Sequence, residues 1–124
     1  MSTLKVTNIA GLTGSSTNVI EGLAKAWSSF NGTGTIASRD SFNVGSLTDF
    51  GTGQYKVTFT TNMNNSSYTG AVHGNNRSDT NPGASWFQTW STDRTDRCAI
   101  ELSQDGGSNL DGAQVGTIVH GDLA

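Results

Sequence analysis

Few residues of this chain are of a type and spacing that could act on a bound molecule. They are His73 and His120, Cys98, the run Asp105-Gly-Gly-Ser-Asn-Leu-Asp111, two glycine-rich stretches, and three large aromatics, Trp86, Phe87 and Trp90. A transition-metal site wants three or four closely spaced ligands, and the two histidines stand far apart with no Cys/His pattern around either. His73 reads as a solvent-facing loop residue. The Asp105 run places oxygen-bearing side chains at alternate positions, as a calcium loop does. The position that would hold the bidentate glutamate is Gly116, and no helix leads in, so it reads as an Asn/Asp/Gly turn. Gly11-x-x-Gly14 and Gly51-Thr52-Gly53 open no helix whose N-terminus could hold an anion, and no Gly-Lys-Ser/Thr follows them, so they are turns and not phosphate cradles. No serine sits in a Gly-x-Ser-x-Gly elbow, and two glutamates leave little material for a carboxylate pair of raised pKa. Cys98, followed by Ala99 and Ile100, reads as a small buried hydrophobe and not a nucleophile. No catalytic, cofactor-binding or metal-ligating residue is assigned, and no enzymatic activity is expected.

The aromatic group remains. Trp86 and Trp90 share one face of a strand with Gln88 between them, while Phe87 has the opposite parity. Exposed tryptophans stack on sugars when a glycan is the partner, and at protein interfaces they act as anchors. The competing reading is core filling. Because Trp86 and Phe87 cannot both face one core, at least one of them meets a second layer, which in an oligomer is the neighbour.

The elements that must position these residues are strands. In the stretch 42–61, Tyr55, Val57 and Phe59 alternate with Gln54, Lys56 and Thr58, the period of a half-buried strand. The preceding limb carries Phe42 and Val44 and loses alternation at Gly45, where a bulge would restore the inward aim of Leu47. Gly51 and Gly53 can take the positive φ of a tight connection, so the two limbs form an antiparallel hairpin. Further strands are expected over 24–30, with Trp27 opposite in parity to Ala26 and Phe30, over 68–72 and over 85–90. Two more follow at 97–103, with Cys98, Ile100 and Leu102 inward, and at 113–120, with Val115 and Val119 opposite Ile118. Residues 62–67 and 73–84 read as loops, the second a long exposed excursion. Seven or eight short antiparallel strands and no amphipathic helix give an all-β fold, a small β-sandwich or barrel-like knob. It occupies residues 24–124. Residues 1–23 have isolated apolar positions, Leu4, Val6 and Ile9, in polar linker, and read either as an extended N-terminal docking arm that reaches a neighbouring subunit or a larger assembly, or as a frayed terminus.

The 124 residues form one domain, and only 33% of them are hydrophobic while the net charge is −3. So little apolar material leaves a small domain marginal, and oligomerisation is the expected remedy. Ten aromatics in strand-like runs and 14% charged residues argue against a disordered chain. A single cysteine rules out an intrachain disulfide. Scattered Lys and Arg with a pI near 5.0 argue against nucleic acid, and no apolar run long enough for a membrane span is present.

Three stretches taken together resemble a known module: Ala24-Lys-Ala-Trp-x-x-Phe-Asn-Gly-Thr-Gly-Thr35, Arg39-Asp-Ser-Phe-Asn-Val44, and Leu47-Thr-Asp-x-Gly-Thr-Gly-x-Tyr-x-Val-x-Phe-Thr-Thr61. The module recurs in bacteriophage tail-fibre-like virion proteins, notably of phages that infect cyanobacteria. Residues 2–6 and Met63 and Tyr68 fit it too, and nothing after Tyr68 does. The resemblance implies a non-enzymatic virion structural protein, a homotrimer on the exterior surface of the particle, whose partner is the major capsid protein or a tail protein of the same phage. A fibre needs anchor, shaft and tip, so the short chain favours a capsid cement or decoration knob over a tail fibre or receptor-binding tip. The contact residues expected are Leu4, Val6, Ile9, Trp86, Phe87 and Trp90.

Overall fold

A computed structural model describes residues 23–75, 84–88, 94–103 and 107–124. Among them lie eight strands: β1 (Ala26–Asn31), β2 (Ala37–Phe42), β3 (Val44–Gly51), β4 (Gln54–Phe59), β5 (Thr69–Asn75), β6 (Ala84–Gln88), β7 (Arg97–Ser103) and β8 (Gln114–His120). They form two four-stranded sheets of order β2-β1-β8-β5 and β3-β4-β7-β6, and every pairing between them is antiparallel. The fold is therefore an all-β, sandwich-like domain, with no helix among the described residues. The expected arm, with Leu4, Val6 and Ile9, lies outside the described residues apart from Leu23.

Alternation decides most of what the central strands bury, although Ala99 of β7 and Gly116 of β8, on the other parity, are buried as well. Ala26, Ser28 and Phe30 of β1 face Val115, Thr117 and Val119 of β8 on one sheet; Tyr55, Val57 and Phe59 of β4 join Cys98, Ile100 and Leu102 of β7 on the other. All are buried. Phe30 meets Tyr55 edge-on at 5.3 Å between ring centroids, and Phe59 meets Tyr68 in the same way at 5.8 Å. Each such burial is worth roughly 1.5–3 kcal/mol. The polar pair Ser28 and Thr117 is inside as well, and is tolerated because the two hydroxyls bond each other at 2.7 Å.

The expected hairpin is β3–β4. Its register shifts between Val44 and Ser46, the bulge anticipated at Gly45, and Leu47 returns to half-burial against the core. Gly51 and Gly53 both have positive φ, 135° and 69°. A Cβ on Gly53 would stand 2.5 Å from the Leu102 carbonyl oxygen, so only glycine fits there.

Two expectations are corrected. Phe42 does not begin the first limb of that hairpin: it ends β2, a strand of the other sheet, and the chain changes sheets at Asn43, whose φ is 55°. The Asn43 amide holds the corner by donating to the carbonyls of Lys25 and Thr61, at 3.0 Å each, while its oxygen accepts from the Thr61 N–H at 2.7 Å. Asparagine tolerates this left-handed conformation better than most residues do. Second, β5 runs on through Asn75, so His73 sits in a strand and not in a loop. Residues 62–67 lie between strands as expected, and Met63 within them is 1% exposed and forms an isolated bridge with Leu123.

Candidate functional site

The residues that looked chemically suggestive are held by the fold for its own use. Asp111 Oδ1 accepts from the Gly53 N–H at 2.8 Å and lies 3.1 Å from the Tyr55 hydroxyl. That hydroxyl is also 2.9 Å from the Gly32 carbonyl oxygen and accepts from the Gly112 N–H at 3.3 Å. Three chain segments thus meet on one phenol, whose pKa is raised, chiefly by burial. Cys98 is 1% exposed, and burial pushes its thiol up to about 12, so it is neutral and unreactive at pH 7. Among the described residues no group of three His, Cys, Asp or Glu is gathered that could hold a metal ion.

What the fold does present is the outer face of the β2-β1-β8-β5 sheet. The parity that buries Ala26, Ser28 and Phe30 turns Trp27 outward, and the parity that buries Val115 and Val119 turns Ile118 outward. Register then aligns one residue from each strand: Phe42 beside Trp27, Trp27 beside Ile118, Ile118 beside Ala71. Phe42 is 51% and Ile118 47% exposed, Ala71 is exposed and Trp27 partly so. The result is an uncharged, apolar row across the whole sheet. The next row reads Asp40, Ser29, Gly116 and His73. Gly116 has no side chain, and the His73 ring lies over it so closely that a Cβ there would sit 2.1 Å from the ring. Isolated exposed apolar residues need no explanation, whereas large contiguous apolar patches mark contact surfaces.

The six expected contact residues fare differently. Trp86 and Phe87 lie on β6, at the edge of the other sheet, in register with Glu101 and Ile100. Trp90 lies outside the described residues, as do Leu4, Val6 and Ile9. None of the four residues in the apolar row was singled out for contact, although Trp27 and Ile118 were placed on the correct parity. No family model, curated protein or solved structure matches this chain.

Proposed function

We propose that the chain is a non-enzymatic structural component of a bacteriophage particle: a small trimeric knob on the exterior surface that cements or decorates the head. The exposed Phe42–Trp27–Ile118–Ala71 row is the observation that carries the reading. It offers an aromatic and aliphatic centre of the kind that protein interfaces bury. A stable interface covers about 800 Å² on each partner, so such a row would serve as its centre, within a larger polar rim. The resemblance of residues 24–68 to tail-fibre-like virion proteins supplies the context. It also supports the second reading, a tail fibre or receptor-binding tip that attaches the phage to its host, with a surface glycan as one candidate ligand.

Locating the protein on phage particles by electron microscopy, and counting its copies, tests both. Many copies on the head, and heads that lose stability without them, support cement; stable particles that fail to adsorb point to the fibre. Phe42→Asp with Ile118→Asp, read by sedimentation, should turn a trimer into monomers. A monomeric parent chain at nanomolar to micromolar concentration and free of any shell would overturn the proposed self-association.

A further inference from the structure

The outer face of the β2-β1-β8-β5 sheet is graded from one edge to the other. In the apolar row the bulk sits on the β2 side, with Phe42 and Trp27, and falls through Ile118 to Ala71 on β5. In the next row Asp40 stands on β2 and His73 on β5, both exposed, with only Ser29 and Gly116 between them. One edge is thus large and acidic, and the other is small and carries an imidazole. The two exposed groups do not meet within one copy, because three strand spacings, roughly 14 Å, separate β2 from β5. The free edges next to this face are poorly suited to adding a strand. β2 and β3 border a cleft of about 260 Å³ between the layers. The ladder of β2 passes over Arg39, pairing Asp40 with Ser29 and Ser38 with Phe30, so a bulge and two successive charges interrupt that edge. β3 shifts register twice, between Val44 and Ser46 and between Asp49 and Gly51. Bulges and charges keep sheet edges from pairing, so the face and not the edge is left for another copy.

We propose that this face is covered by the same face of a second copy, related to the first by an axis along the strands. Such an axis keeps each row at its own level and reverses the strand order, so the β2 edge of one copy lies against the β5 edge of the other. Phe42 then packs on Ala71, large on small, and the His73 imidazole donates to the Asp40 carboxylate. Asp40 Oδ1 already accepts from the Ser41 N–H at 2.8 Å, so Oδ2 is the acceptor in this contact. An axis across the strands would set β2 on β2 and bring Asp40 onto Phe42 or onto the second Asp40, leaving a carboxylate covered without a donor. The face is therefore complementary to itself in one orientation. The same contact serves a pair laid face to face and a ring of three, and it rests on the self-association proposed above.

A double-mutant cycle in the full chain, read by sedimentation equilibrium, tests it. His73→Glu sets carboxylates against one another and should weaken association about fivefold or more, and adding Asp40→Lys should return the dissociation constant to within about twofold of the parent. Two positions this far apart in one copy do not couple through it, so rescue reports a contact between copies. Asp40→Lys combined with Ser46→Glu, on β3 of the other sheet, controls for net charge and should show no such coupling, and circular dichroism verifies folding. Additive effects of the two substitutions in a parent that associates would overturn this orientation and leave the apolar row standing as an interface. A parent that associates as two chains with the coupling intact would support the contact and overturn the trimer. A parent that stays monomeric up to micromolar concentration would overturn both the contact and the self-association on which it rests.

Discussion

Phe30 and Ser38 are partners across one β-ladder, yet the sandwich changes character between them. On the β1 side the inward positions are Ala26, Ser28 and Phe30, all buried and packed against the facing sheet; on the β2 side they are Ser38 and Ser41, and the layers fall open. The backbone pairing is continuous through both regions, so hydrogen bonding alone does not close a sandwich. Closure needs inward side chains with enough volume to reach the opposite layer; among the described residues the fully buried strand side chains lie on β1, β8, β4 and β7, while Val44, Leu47 and Val72 pack against the core partly.

The sharpest way to test the contrast is a matched pair of truncations. Phe30→Ala should cost about 3–5 kcal/mol through the cavity it leaves, whereas Ser38→Ala, one strand away, should stay within about 0.5 kcal/mol; guanidinium midpoints measure both. Gly53→Ala adds a methyl group against the Leu102 and Leu110 backbone at a positive φ, and a loss of about 3 kcal/mol in the same titration is expected. At the boundary between the regions, Asn43→Ala removes three side-chain hydrogen bonds and puts alanine in a left-handed conformation. About 2 kcal/mol should be lost, with amide exchange rising first around residues 43–47 if the open side is the weaker one.

A further effect is one of pH. Burial raises the Cys98 thiol from 9.0 to about 12 and the Tyr68 phenol from 10.0 to about 12. Both are acids, so between the ordinary and raised values the folded protein keeps protons that the unfolded chain has released, and stability falls as pH rises. The decline should begin near pH 9 and move up toward the Tyr68 onset near pH 10 in Cys98→Ala. Ser38→Ala should leave this profile unchanged. Urea midpoints between neutral pH and pH 11 measure it. A profile flat to pH 11 would remove the assignment of these groups to a tightly packed centre.

The same contrast explains what could be read from the chain alone. Residues Tyr55 to Phe59, Cys98 to Leu102 and Val115 to Val119 announce themselves through alternation, because each spends every second side chain on the core. The Gly45 bulge was legible too, as the place where that alternation breaks. β2 was not, because Ser-Arg-Asp-Ser has no apolar period for a reader to find, and its strand state comes from pairing with β1. Nor was the apolar row. It takes one residue from each of four strands, and Phe42, Trp27, Ile118 and Ala71 become neighbours only once register is known.

The central position of β8 has a consequence for biosynthesis. β1 is made before its inner neighbour β8, the last strand of that sheet among the described residues, and the Tyr55 phenol waits for Asp111 and Gly112. Until then a nascent chain carries Phe30, Tyr55 and Phe59 without their cover. Such high contact order makes for slow closure, and the unfinished chain is the species most exposed to aggregation. A chain interrupted before Gln114 would lack β8, and β1 would then have β2 as its sole neighbour in the sheet.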